Sequence, residues 1–179
     1  MRDWNVIVST YDRGFAFAIE LLSELGPVAR TDFFNVLVLK VDDIERFLAV
    51  FAEWAETMPM VLAAISRVSP VRDVFNFQSA AEFEDKAREV VLARLGELAG
   101  KSFHVRMHRR GFKGRLSSQD EERFLDQAIL DALARDAMTA KISFEDPDVI
   151  VAIETVAGRG GIAFWSRAQR QRYRFLKLD

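Results

Sequence analysis

The chain has 179 residues, half of them hydrophobic and 29% charged, with 4 prolines, 9 glycines and a formal net charge of −2. This suits one large domain or two small ones, and excludes a disordered or collagen-like polymer. With no cysteine, disulfides, thiolate metal sites and a cysteine nucleophile are excluded; His104 and His108 alone cannot make a three-histidine zinc site unless a partner adds ligands.

In chain order, Asn5–Thr10 is a β-branched run that predicts a strand. Phe15, Ala18, Ile19, Leu22 and Leu25 recur at helical spacing and stop at Gly26-Pro27. Val28–Thr31 and Asn35–Val41 predict two strands. Asp42 and Asp43 are caps for a helix burying Ile44, Phe47, Leu48, Phe51 and Ala55, which Met58-Pro59 breaks. Val61–Val68, taken as a strand, completes β-α-β-β-α-β, the ferredoxin-like split βαβ unit.

Val74–Phe77 is an apolar connection. Ser79 to Glu82 has the form of a capping box before a helix that buries Phe83, Ala87, Val90, Val91, Leu95 and Leu98 and stops at Gly100. Ser102–His108 alternates as a strand, with Phe103, Val105 and Met107 inward and His104, Arg106 and His108 outward. Ser118 to Glu121 forms a second capping box, opening a helix with Phe124, Leu125, Ala128, Ile129, Ala132 and Leu133 inward. Lys141–Phe144 and Val149–Val156 are strands, Gly158–Gly161 is a turn, and Ile162–Trp165 is a last strand before a basic tail. The predicted class is α+β: a ferredoxin-like domain over residues 1–72 and a second α/β domain over 73–179.

No apolar run reaches the roughly 18–20 residues needed to span a bilayer, and the N-terminus lacks a signal-peptide pattern, so a soluble cytoplasmic protein is expected. Charge is divided unevenly. Residues 1–100 hold 10 Lys and Arg against 16 Asp and Glu; residues 101–179 hold 15 against 11. From Lys101 to Arg115 there are six cations and no carboxylate, and from Thr155 to Leu178 six more with none. Such a local cationic field recruits polyanions, while an acidic remainder preserves solubility.

The segment FHVRMHRRGFKGR, residues 103–115, concentrates the candidate site. The strand delivers Arg106, Arg109 and Arg110, whose planar forks suit phosphate oxygens, into a glycine-bracketed loop with Lys113. Phe112, set among these cations, has the chemistry to stack on a base. His104 and His108 stand roughly 13 Å apart along a strand and cannot share one metal ion. The Asp120–Glu122 and Glu145–Asp148 carboxylates belong to a helix start and a turn. No catalytic centre, metal site or cofactor motif stands out.

A capped helix, the strand FHVRMHRRGF, a second helix and then KISFEDPDVIVAIE resemble, in this order, the THUMP domain of RNA-modification proteins. Lys141, Pro147, Asp148, Ile150 and Glu154 carry the later motif. The preceding unit, running into ISRVSPV, resembles the N-terminal part that accompanies THUMP. One departure is Asp126-Gln127-Ala128, where many such domains have a glycine in the second helix. The resemblance implies tRNA recognition at the acceptor stem and single-stranded 3′ end. Relatives usually carry a fused enzyme domain. With little length left for one and no nucleotide loop or methyltransferase glycine motif, the stand-alone type is expected, which presents tRNA to a modification enzyme such as an acetyltransferase forming N4-acetylcytidine. On this reading Arg106, Arg109, Arg110 and Lys113 contact phosphates, and His108 and Phe112 lie near the 3′ end. Arg67 and Arg159 are further RNA-binding candidates. Two alternatives stay open: a protein-interaction module that binds no RNA, and an RNA-modifying enzyme with a dispersed site.

Overall fold

The computed structural model describes Met1 and residues 3–178; Arg2 and Asp179 lie outside the described residues. The protein is α+β with two sheets and divides into two compact units. The first comprises residues 1–72 with 172–177, and the second residues 73–171 with 178–179. Residues 172–177 thus group with the first unit, whereas the sequence reading carried the second domain through to 179. The reason lies in the tail's apolar residues: the Phe175 ring stands 4.7 Å from that of Phe51, and both are buried.

In the first unit, β1 (Val6–Thr10), α1 (Phe15–Leu22), β2 (Val28–Arg30), β3 (Val36–Leu39), α2 (Ile44–Thr57), α3 (Pro59–Ala64) and β4 (Ile65–Pro70) follow in order. The sheet order is β2-β3-β1-β4, antiparallel throughout, which is the split βαβ arrangement. Asp43 caps α2 by accepting from the Arg46 N–H at 3.0 Å. Residues 61–64 correct the expected strand. Pro59 breaks α2 but also opens α3 from its first turn, where a missing N–H costs nothing, and the strand begins only at Ile65.

The second unit contains β5 (Asp73–Asn76), α4 (Ala80–Leu92), β6 (Ser102–His108), α5 (Ser118–Arg135), β7 (Lys141–Ile142), β8 (Val149–Val156), β9 (Arg159–Ser166) and all but the last residue of α6 (Arg167–Arg172). Its sheet order is β5-β9-β8-β6-β7, with β6 parallel to both β7 and β8 and the remaining pairs antiparallel. The expected connection at 74–77 is therefore largely the edge strand β5. Phe103, Val105 and Met107 share one face with Val149, Val151, Ile153, Ile162 and Phe164. There they pack with Phe83, Ala87 and Val91 of α4 and Leu125, Ile129 and Leu133 of α5. Amphipathic period and strand alternation thus meet in one core.

Local departures have local causes. Ser79 caps α4 as expected, but Glu82 reaches back to the Gln78 N–H at 2.8 Å, one residue before the reciprocal position. The α4 helix ends at Leu92; Leu95–Glu97 is a separate 3-10 turn. Ser117 rather than Ser118 caps α5. The β8–β9 turn is Ala157-Gly158, so Arg159–Gly161 already lie in β9 and the expected turn at 158–161 is one residue pair too late. Asp148 accepts from the Ser102 N–H and hydroxyl at 2.8 and 2.7 Å, tying the Pro147 turn to the start of β6. No helix among the described residues is long and apolar enough to cross a membrane.

Candidate nucleic-acid interface

The basic segment begins on a strand whose two neighbours are unequal. β8 accompanies β6 along Phe103–His108, but β7 covers only Ser102 and Phe103. Past that point α5 supplies the missing acceptors. Asp126 Oδ1 takes the Val105 N–H at 3.0 Å, and Glu122 Oε1 takes the Met107 N–H at 2.7 Å. One helical turn between the two carboxylates matches two residues of strand, so the edge is satisfied without another strand. The sequence reading had no role for Asp126; an acid in mid-helix beside buried leucines was the available signal.

The face predicted to point outward is mostly buried. His104 is 1% exposed, its Nδ1 lies 2.7 Å from the Ser143 carbonyl oxygen, and the Phe144 ring stacks on it at 5.5 Å. Those neighbours follow β7 and could not be assigned to His104 by alternation. Arg106 stands opposite Ala152 and is half-buried. His108 is half-buried, with Nε2 3.4 Å from the Leu178 carbonyl oxygen.

After His108 the chain enters a tight loop. An Arg109 Nη1 bond to the Gly111 carbonyl folds the side chain back on its own loop. Arg110 is anchored more firmly. Its N–H donates to Thr155 Oγ1 at 3.0 Å, its carbonyl accepts from the Ala157 N–H at 2.8 Å, and Nη1 donates to Glu154 Oε2 at 2.6 Å. The Glu154 side chain is 1% exposed and that of Arg110 15%, so this arginine is engaged in holding the loop to β8. Gly111 has φ +105, and a Cβ there would meet Ala157 Cα at 3.0 Å, a close approach only glycine allows comfortably.

Phe112 follows with φ +52, a rare conformation for a bulky residue that costs roughly 1–3 kcal/mol. Its position is fixed by packing and by a turn. The ring lies 4.8 Å from that of buried Phe77, and the Phe112 carbonyl accepts from the Arg115 and Leu116 N–H groups at 2.9 and 3.0 Å. Leu116 is 4% exposed and closes the loop. Between these anchors Lys113, Gly114 and Arg115 are exposed. Lys113 has no ion-pair partner among the described residues, and Arg115 places its guanidinium carbon 4.5 Å from the Phe112 ring centre.

Arg159 joins this end of the unit. Its Nη1 donates to Asn76 Oδ1 at 3.2 Å, beside the Phe77 N–H bond to the Gly158 carbonyl at 2.8 Å. The fold therefore gathers Arg109, Arg110, Phe112, Lys113 and Arg159 around the Ala157-Gly158 turn. Arg67 belongs to the first unit, on β4, where its Nε donates to Ser69 Oγ at 3.1 Å; it is not among the residues the second unit gathers. Arg115, which the sequence reading counted only as one more cation, is the further exposed arginine of this loop.

The tail arginines differ from the loop. Arg167 Nη1 donates to Asp148 at 2.9 Å and Arg170 binds the Pro147 carbonyl, so both brace the Asp146–Asp148 turn. The Ser102 donors, with Arg167, hold the Asp148 carboxyl below its ordinary value. Among the described residues, no group of three or more His, Asp or Glu is placed to hold a metal ion.

No protein-family model and no curated protein sequence matches the chain. Solved structures do. PH1313 from Pyrococcus horikoshii Ot3 matches 89% of this chain at TM-score 0.59 and 16% identity. TrmN from Thermus thermophilus matches 89% at the same score and identity. A 4-thiouridine synthetase in complex with RNA and bound ATP matches 91% at TM-score 0.54 and 14% identity. At such identities the likeness is one of fold. The chain spans 53%, 44% and 41% of those three chains, about half their length or less.

Proposed function

We propose that this chain binds tRNA without catalysing a reaction, recognises the acceptor stem and 3′ end, and presents the tRNA to a modification enzyme. The observation that carries the reading is the anchored loop Arg109–Leu116, which exposes Lys113 and Arg115 at one end of the second unit. Neither has a carboxylate partner among the described residues. A loop held at Glu154, Thr155, Ala157 and Phe77 offers cations at little cost in ordering, as phosphate contacts require.

Two further points support it. The order of motifs resembles THUMP, and the fold is shared with a synthetase solved with RNA. The class of modification, with N4-acetylcytidine formation by a partner acetyltransferase as the proposed case, rests on the resemblance alone. Arg110 enters as the residue that holds the loop to β8, while Arg109, Lys113 and Arg115 meet the RNA.

The test is titration of labelled whole tRNA, with the 3′ end present or removed, at two salt concentrations. Affinity should fall with salt by about one log–log unit per phosphate contacted, and should weaken without the 3′ end. Salt-insensitive binding, or none by the folded protein, would overturn the reading.

A further inference from the structure

Phe112 was expected to stack on a base, but its ring is already engaged. Phe77, 2% exposed, touches it from the core at 4.8 Å between ring centres, and the Arg115 guanidinium carbon stands 4.5 Å from its centre. Burial is graded along this series of contacts: Phe77 is buried, Phe112 half-buried and Arg115 exposed. The outermost group, the one a ligand meets, is therefore a guanidinium backed by an aromatic ring.

We infer that Arg115 is a stacking platform for an unpaired nucleobase, held in place by Phe112. The inference rests on the RNA-binding reading above and names the ligand chemistry of the same loop. A guanidinium is planar and weakly hydrated, so one side can rest on an aromatic ring while the other accepts a base. An ammonium in the same place is a hydrated point charge and offers no such plane.

The backbone supports a fixed platform. The bond from the Arg115 N–H to the Phe112 carbonyl at 2.9 Å sets the spacing between the two side chains. Positive φ at Gly111, Phe112 and Gly114 (+105, +52 and +75) makes the turn that brings residue 115 back over residue 112. Among the described residues Arg115 has no carboxylate neighbour to draw its N–H edge away. Stacking of this kind tolerates any base, because every base presents a π-face. It therefore suits an unpaired end better than a defined sequence.

The experiment uses the full chain and a short RNA stem with a single-stranded 3′ tail, carrying 2-aminopurine or an abasic site at each tail position in turn. Wild-type protein should change the fluorescence at one tail position and lose about tenfold in affinity when that position is abasic. Arg115→Lys keeps the charge, so its salt dependence should match wild type. It should nevertheless lose about tenfold on intact RNA and become indifferent to the abasic site. Phe112→Leu, which keeps an apolar contact with Phe77 but removes the ring under Arg115, should weaken the same fluorescence change. If Arg115→Lys binds intact RNA as wild type does and abasic sites cost nothing, Arg115 contacts phosphate and the stacking inference is overturned. In that case RNA binding itself survives. Absence of RNA binding by wild type would overturn both.

Discussion

Arg110, two residues past the end of β6, meets Glu154 on the parallel strand β8, with Arg110 Nη1 donating to a Glu154 Oε2 that solvent barely reaches. The loop that carries the candidate RNA contacts is thereby pinned by one of the arginines first assigned to the RNA. Arg110→Met takes this partner from a buried carboxylate and should destabilise the fold by about 2–4 kcal/mol. Adding Glu154→Gln should recover part of that loss. Urea unfolding of the two single variants and the double variant measures the coupling. A single variant within about 0.5 kcal/mol of wild type would contradict it.

Lys113 is expected to act in the opposite way. It is exposed, and no described residue pairs with it. Lys113→Ala should leave the thermal midpoint unchanged while lowering tRNA affinity and reducing the salt slope by about one. An unchanged slope with unchanged stability would remove Lys113 from the interface.

Two carboxylates on α5 should leave a mark on the pH dependence of stability. Burial first, with Glu84 and Asp120 adding, pushes Glu121 up to about 7. Burial also raises Asp126 to about 6, with the Val105 N–H opposing and Glu122 assisting. Both values lie above those of an unfolded chain, so the folded state holds these protons more tightly. Their contribution is most favourable below about pH 4 and declines as pH rises through 6 and 7. Glu121→Gln should therefore raise the melting temperature at pH 8, by an amount on the order of 1–3 kcal/mol in stability, and change little at pH 4. Asp126→Asn keeps an acceptor for Val105, and its gain should open between pH 4 and 6. A fall in melting temperature at pH 8 for either variant would refute its assignment.

Two glycines in the basic loop separate conformational cost from crowding. Gly114→Ala meets nothing within 4 Å but must adopt φ +75, and should cost about 1 kcal/mol. Gly111→Ala must adopt φ +105 and also press on Ala157 Cα at 3.0 Å. It should cost more, roughly 1–3 kcal/mol, and weaken RNA binding by displacing the loop. Equal effects of the two substitutions would mean that the Gly111 approach is not tight.

Acid lability should follow from the turn at 145–148. Asp148 is held below its ordinary value by the Ser102 N–H and hydroxyl and by Arg167, so its contribution is present at neutral pH and lost as pH falls through that lowered value. Asp148→Asn should lower the melting temperature at pH 7 and converge with wild type in acid. A gap that persists at low pH would point to packing instead.

What the sequence determined by itself is the set of features carried by short-range pattern. Period-two alternation marked Ser102–His108 to the residue, and helical spacing located the buried faces of α2, α4 and α5, because backbone geometry alone sets those periods. Conflict between local signals produced the errors. Pro59 both ends one helix and starts another, and Gly158 to Gly161 look like a turn although most of them pair in β9. Only the tertiary structure decided which cations are occupied. Arg110 meets Glu154 across 44 positions, Arg159 meets Asn76 across 83, and His104 is enclosed by residues 39 or more positions away. A charge written in the sequence has no stated partner, since an ion pair depends on where strands align rather than on what precedes or follows. Lys113 and Arg115 are available, and Arg110 is not, for that reason.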